Sequence, residues 1–181
     1  RERFFETVAR QIPEIRLIAE DLGEIDDTVR DFLVTLGMPG MAVLQFAFGG
    51  GGDNPYLPHN LVPNSVVYPG THDNNTTLGW YEAADEETRD HVRRYLRVGG
   101  EDISWDCIRS ALASVARLAV LPVQDLLSID ASGRMNLPGS PQGNWSWRMT
   151  ATGFEALRHS TGYLRELAWL YGRDPDPSKP D

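Results

Sequence analysis

Residues 41–48 read Met41-Ala42-Val43-Leu44-Gln45-Phe46-Ala47-Phe48, an apolar run that only Gln45 interrupts. A strand with one wet face alternates, whereas a strand covered on both faces does not. The run therefore predicts a strand over 41–48 inside a buried, mainly parallel sheet. Upstream, Val29, Phe32, Leu33 and Leu36 repeat at helical spacing, Asp26 and Asp27 supply an acidic first turn, and Gly37 with Pro39 marks the exit. One face of that helix is apolar and suits packing on a sheet. Before it, Ile15-Arg16-Leu17-Ile18-Ala19 has the length and apolarity of a strand and stops at Glu20-Asp21-Leu22-Gly23. Residues 2 to about 11 read as a helix that Pro13 ends.

Downstream, Gly49-Gly50-Gly51-Gly52-Asp53-Asn54-Pro55 breaks the periodicity and opens a loop to about Asn64. Val66-Val67-Tyr68 predicts a short strand, followed by Pro69-Gly70 and the polar cluster Thr71 to Thr77. A charged helix is expected over 86–97, with Val92, Tyr95 and Leu96 inward and Gly99-Gly100 as its stop. Ser104 is placed to cap a helix running to about Ala116, and a strand over 118–121 leads into Pro122-Val123-Gln124-Asp125. Residues 130–148 lack a period. Phe154, Leu157, Thr161, Leu164, Leu167 and Tyr171 mark a last amphipathic helix before a Pro-rich tail. Alternating strands and helices imply right-handed βαβ connections in an α/β fold. About four strands are visible, which is half of a (β/α)8 barrel or a small open sheet.

The chain has 181 residues, short of the ~250 of a typical complete barrel. It begins without methionine and inside a helical pattern, so a larger polypeptide is expected. Lys and Arg total 17 against 26 Asp and Glu, a formal net charge of −9, which leaves no basic footprint for nucleic acid. A 41% hydrophobic content is enough for a core. Cys107 is the single cysteine, so no intrachain disulfide can form and a cytoplasmic setting is expected. No apolar run approaches the ~20 residues of a membrane helix, and no signal-peptide core follows the N-terminus. Cys107 itself suits a small core residue.

Glu20, Asp73 and the pair Gln124-Asp125 each fall just past a predicted strand, where barrel enzymes gather their chemistry. Paired carboxylates with a histidine, an asparagine and several tryptophans suit carbohydrate chemistry: carboxyl groups move a proton and stabilise an oxocarbenium-like state, and indole faces cover sugar C–H surfaces. The plainer alternative for Glu20 is a helix cap or a partner for arginine. Trp80, Trp145 and Trp147 are each either a sugar platform or ordinary core. His59 and His91 have no evident motif partner. His72-Asp73 also resembles the metal-binding pair of an HD-type phosphohydrolase, but the further His and Asp ligands are not placed for it.

Taken together, Ile18-Ala19-Glu20-Asp21-Leu22-Gly23, Gly37-Met38-Pro39-Gly40-Met41, Val43 to Phe48 and Leu57-Pro58-His59-Asn60 resemble the 4-alpha-glucanotransferases (amylomaltase or disproportionating enzyme, glycoside hydrolase family 77). Tyr68-Pro69-Gly70-Thr71-His72-Asp73-Asn74, Gly79-Trp80-Tyr81, Gln124-Asp125-Leu126-Leu127, Arg134-Met135-Asn136 and Gly143-Asn144-Trp145-Ser146-Trp147-Arg148 follow in family order. The resemblance spans roughly residues 10–150. It implies that residues 1–172 are the C-terminal half of a (β/α)8 catalytic barrel and 173–181 a tail. It further implies that Glu20 is the general acid/base, Asp73 the transition-state-stabilising carboxylate, and His72, Asn144 and Trp145 substrate contacts. Glu20 must then alternate between protonated and ionised forms, while Asp73 stays ionised. The implied ligands are alpha-1,4-glucans and malto-oligosaccharides, with no metal or organic cofactor, no nucleic acid and no membrane.

A retaining transferase also needs a nucleophilic carboxylate ~5–5.5 Å from the acid/base. In the family it lies upstream of the Ala-Glu-Asp-Leu-Gly motif, in an Arg-x-Asp-His-Phe-Arg-like segment that does not precede Glu20 here. Arg89-Asp90-His91-Val92-Arg93 looks similar but lies on a charged helix, where Asp90 should face water. The chain by itself is therefore expected to be inactive. A noncatalytic glucan-binding module and a related alpha-glucan hydrolase are the alternatives. Asn75 and Gly49 stand where the family often has acidic residues, with Asp53 a possible substitute for the latter. Half a barrel would expose strand edges, so self-association is expected.

Overall fold

The structure, a computed structural model, describes residues 2–23 and 25–174. The chain divides into two units, residues 1–41 and 42–181.

In the first unit, α1 (Glu2–Gln11) and α2 (Asp27–Thr35) meet through Phe5 and Phe32, whose rings pack edge to face at 5.7 Å. The Asp26 side chain accepts the Val29 N–H at 2.9 Å and caps α2, as its acidic first turn suggested. Gly37, at φ +62°, closes the other end, and Met38 N–H reaches back to Leu33 C=O at 3.0 Å. The strand predicted over 15–19 does not form. That segment is irregular; its Ala19 N–H donates to Pro39 C=O at 2.9 Å, and Ile15 and Ile18 are exposed. Apolar content alone does not make a strand without a neighbour to complete its ladder.

β1 (Gly40–Val43), β2 (Ser65–Tyr68) and β3 (Leu118–Ala119) form one sheet in that order. β2 and β3 run parallel, with Val66 opposite Leu118 and Val67 opposite Ala119. The predicted strand 41–48 is halved: after Val43 the chain winds into a 3-10 turn over Leu44–Phe46, closed by Ala47 N–H on Leu44 C=O at 2.9 Å. That turn buries Leu44, Ala47 and Phe48 and leaves Phe46 at 41% exposed. A short apolar run fits either geometry, so its period could not choose between them. The strand predicted over 118–121 likewise shrinks to β3.

α3 (Thr77–Ala83) begins at the last residue of the polar cluster and has no counterpart among the helices predicted from the sequence. Thr76 caps it through the Gly79 N–H at 3.1 Å, and a Cβ on Gly79 would stand 2.6 Å from the Ala131 nitrogen, so a 3-10 turn at Ala131–Gly133 packs directly on this helix. α4 (Glu86–Leu96) matches its expected span, with Val92 buried. Asp90 on α4 is half-exposed beside Arg93 and Arg94, at 3.7 and 3.6 Å, which fits a solvated helix face. α5 (Ile103–Ala113) starts one residue before Ser104, which lies inside the helix at 1% exposed instead of capping it.

The main core joins Leu44, Leu57, Val67, Val92, Ile103 and Cys107; burial pushes the Cys107 thiol up, so it packs as a small apolar group. After the short α6 (Val123–Leu126), α7 (Ala151–Leu170) adds a second cluster in which Leu167 meets Trp105, Ile108 and Leu112 of α5. Arg173 then turns back onto the end of α5: Nε donates to Leu112 C=O at 2.6 Å and Nη2 to Ser114 and Ala116 C=O at 3.0 and 2.9 Å. A cation on orphan C-terminal carbonyls satisfies them and suits the helix dipole. Residues 175–181 of the expected tail lie outside the described residues. No described helix is long and apolar enough to cross a membrane.

Arg173→Ala is expected to lower the unfolding free energy in urea denaturation by about 2 kcal/mol, the scale of hydrogen bonds to a charged group. Arg173→Lys is expected to recover less than half of it, because one ammonium cannot fork across these carbonyls.

Candidate active site

Glu20 lies in the first unit, exposed, in the irregular stretch after Ala19. Its neighbour Asp21 turns the other way and accepts the Met41 N–H through Oδ1 at 2.7 Å. A Cβ on Gly40 would collide with that carboxylate, so Gly40 leaves the space that the Asp21 side chain occupies. Asp21 thus fixes the backbone that carries Glu20.

The other site residues lie in the second unit. Buried β2 delivers the chain into Pro69-Gly70-Thr71-His72-Asp73-Asn74, where Asn74 Oδ1 accepts both the Thr71 N–H and its hydroxyl, at 2.9 and 2.8 Å. The Asn74 N–H donates in turn to Thr71 C=O at 3.1 Å, and this β-turn puts His72 and Asp73 at its tip. His72 Nε2 is 3.3 Å from Asp73 Oδ1. The indole of Trp145 lies against the His72 ring at 5.1 Å between centroids, and Trp145 is 54% exposed, with its backbone at φ +60°. A bulky residue in the left-handed region is uncommon and marks a constrained position. Of the three tryptophans, Trp80 packs on the core, Trp147 is half-buried and Trp145 offers an open face.

Asp73 borders a cleft of about 340 Å³, lined also by Gln45, Phe46, Asn75, Trp80 and Arg134. Gln45 Nε2 donates to Asn75 C=O at 2.9 Å, and Gly70 leaves the space this amide occupies. Arg134 spends its guanidinium on main-chain oxygens, with Nε on Asn136 C=O and Nη2 on Asp73 C=O, both at 2.9 Å. The cleft is therefore aromatic and amide-lined, with one carboxylate and one guanidinium that two main-chain oxygens partly engage. Arg134, Asn136 and Gln45 stand within motifs that carry the family resemblance, but the sequence assigns them no role. Their partners lie 30 to 63 residues away in the chain, beyond any local pattern.

Asn144 is close by but engaged. Its Oδ1 accepts the Leu137 N–H at 2.9 Å and its Nδ2 donates to Ser140 C=O at 2.9 Å, with a weaker approach to Leu137 C=O at 3.5 Å. It builds the turn that sets Trp145, whose N–H reaches Met135 C=O at 2.7 Å. His59 is held by the Tyr95 hydroxyl at 2.7 Å and Gly52 C=O at 3.0 Å, and Asn60 bonds Gly52 and Asn54, so these residues organise the glycine-rich loop. His91 bonds Phe48 C=O at 3.1 Å. Among the described residues, no three His, Cys, Asp or Glu side chains are grouped to hold a metal ion.

Asp125, which the sequence places just past a strand, is 1% exposed. It accepts the Thr77 N–H at 2.8 Å and the Thr77 hydroxyl at 2.9 Å, tying the first turn of α3 to α6. Its neighbour Gln124 donates to Gly133 C=O at 3.2 Å. Burial pushes the Asp125 carboxyl above its ordinary value, against the lowering pull of the two Thr77 bonds. A raised folded value means that its contribution to stability is full below the unfolded value and is lost as pH rises through the folded one. The melting-temperature advantage of the wild type over Asp125→Asn is therefore expected to be larger at pH 3.5 than at pH 7. An advantage that grows with pH would contradict this assignment.

A sequence profile of glycoside hydrolase family 77, described as 4-alpha-glucanotransferase, matches residues 1–152. A chloroplastic/amyloplastic 4-alpha-glucanotransferase of Arabidopsis thaliana is 48% identical over 171 residues, covering 93% of this chain and 30% of its own length. The 4-alpha-glucanotransferase of Thermus thermophilus is 46% identical over 156 residues, covering 82% and 31%. Among solved structures, an amylomaltase from Streptococcus agalactiae in complex with acarbose superposes with a TM-score of 0.88 at 33% identity, covering 95% of this chain and 35% of that one. The chain thus spans about a third of the length of these relatives, and it belongs to the 4-alpha-glucanotransferase family, glycoside hydrolase family 77.

Proposed function

We propose that this chain is the acid/base-bearing part of a 4-alpha-glucanotransferase, the C-terminal half of its (β/α)8 barrel, and that the parent protein acts on alpha-1,4-glucans and malto-oligosaccharides. The observation that carries the reading is the exposed Trp145 indole beside His72 and Asp73, the latter bordering an aromatic and amide-lined cleft. Such a surface suits a neutral, polyhydroxylated ring: indole covers its C–H face, and the carboxylate accepts from its hydroxyls. The names of the relatives point the same way.

In this reading a nucleophilic carboxylate, supplied by the parent protein upstream of this chain, attacks the anomeric carbon. Glu20 gives its proton to the departing 4-oxygen, and the C–O bond breaks with its electrons on that oxygen. Glu20, now ionised, then takes the proton from the 4-hydroxyl of a second glucan or of glucose, whose oxygen displaces the carboxylate and restores the original anomeric configuration. Asp73 stays ionised and offsets the positive charge that develops on the ring. His72 and Trp145 hold the sugar. Asn144 can join them by giving up its long Leu137 contact and keeping the Ser140 bond. The carboxyl groups supply both proton and charge, so the transfer calls for no metal or organic cofactor; the single cysteine, separately, supports a cytoplasmic setting. The short β3, with Leu118 at 45% exposed, provides the edge through which the chain alone would self-associate.

In the parent protein, Glu20→Gln is expected to slow disproportionation of maltotriose by about 10³-fold, within the range of lost acid/base catalysis. The 181-residue chain alone is expected to show no transfer. A parent protein that does not convert maltotriose, or robust transfer by the homogeneous chain alone, would overturn the reading. Saturable binding of malto-oligosaccharides by the parent protein, lost in Trp145→Ala but with no transfer in any form, would instead support a noncatalytic glucan-binding module.

A further inference from the structure

Asp73 can serve the proposed chemistry only if its carboxylate keeps one orientation while sugar rings come and go. Its backbone turn alone does not set that orientation, because the side chain remains 43% exposed and free to rotate about its own bonds. The segment 134–136 supplies what the turn lacks. Asn136 Nδ2 donates to Asp73 Oδ1 at 2.6 Å, and the Asn136 N–H donates to His72 C=O at 3.0 Å. Arg134 adds its bond to Asp73 C=O at 2.9 Å. His72 Nε2 approaches the same oxygen that Asn136 binds, Oδ1, at 3.3 Å. Oδ2 makes no hydrogen bond among the described residues. One carboxylate oxygen is thus committed to the protein, and the other is left for a ligand in the cleft.

We infer that Asn136 is a positioning residue for Asp73: its side-chain amide locks the carboxylate through Oδ1 so that Oδ2 is presented to the sugar. The inference rests on the functional reading above for its kinetic consequence, but not for its geometric one. Asn136 does not reach the substrate; it acts through Asp73. Its backbone bond to His72 survives any side-chain substitution, so the side chain can be removed without releasing the turn. The same segment holds Trp145 through Met135, which links the carboxylate and the indole to one short stretch of chain.

The test uses the parent protein with Asn136→Ala and with Asn136→Asp, the second isosteric but without the donor. Both are expected to lower kcat for maltotriose disproportionation by about 10²-fold, the scale of a misplaced reacting group, with KM changed less than threefold and the melting temperature within a few degrees. In a crystal structure of Asn136→Ala, Asp73 is expected to adopt a different rotamer or more than one. Asp73 unchanged in rotamer, kcat within threefold of wild type in both variants, or an activity loss that follows a matching fall in melting temperature would overturn the inference. Should the wild-type parent prove inactive, the functional reading fails, and the Asp73 rotamer alone decides whether Asn136 positions it.

Discussion

The candidate site depends on a constraint set at both ends of one short segment. At its start, β2 is locked in the core by Val66 and Val67 and by its parallel pairing with β3. At its end, Thr77 is fastened to the buried carboxylate of Asp125 by two hydrogen bonds. The eight residues between, 69–76, have little freedom left, and they contain His72 and Asp73. A buried carboxylate is costly unless its lone pairs are used, and Thr77 uses both oxygens. Asp125 therefore acts on the site from behind, through the first turn of α3.

A third restraint comes from far along the chain. Residues 134–145 carry no regular structure beyond turns, yet they fix the orientation of Asp73, hold the backbone of His72 and set Trp145 against the imidazole. The strained backbone of Trp145 fits this picture, since a bulky residue stays in the left-handed region only where its surroundings over-determine it. Asn144 commits both ends of its amide, and Arg134 two of its guanidinium nitrogens, to main-chain groups, so they stiffen the loop beside Asp73, His72 and the indole. A rigid scaffold carrying a few exposed reactive groups is the arrangement that transition-state stabilisation calls for.

Much of this was legible in the sequence, and what was not has identifiable causes. Helices with a cap and an apolar stripe were readable: α2 with Asp26, α4 with its inward Val92 and α7 with Leu167 appear close to where their periodicity put them. Short apolar runs were not, since Leu44 to Phe48 buries equally well as a 3-10 turn and Ile15 to Ala19 lacks a ladder partner. α3 was hidden because its first turn, Thr76-Thr77, looks like loop until Asp125 is known to receive it. Asp73, His72 and Trp145 were found through motif resemblance, and the structure brings these three together in one cleft region. The burial of Asp125 was not legible because position after a strand says nothing about burial, and Asn136, quoted within a resemblance motif, received no role because its partner is 63 residues away.

The central proposal is that Asp73 and Trp145 receive a sugar ring and that Glu20 exchanges a proton with a glycosidic oxygen. The most direct measurement is a crystal structure of the parent protein with a bound malto-oligosaccharide. The account predicts a ring hydroxyl within about 3 Å of Asp73 Oδ2, the indole of Trp145 over a sugar face, and the Glu20 carboxyl at hydrogen-bond distance from a glycosidic oxygen. A well-ordered oligosaccharide seated elsewhere, with Asp73 and Glu20 both out of reach of it, would contradict the account.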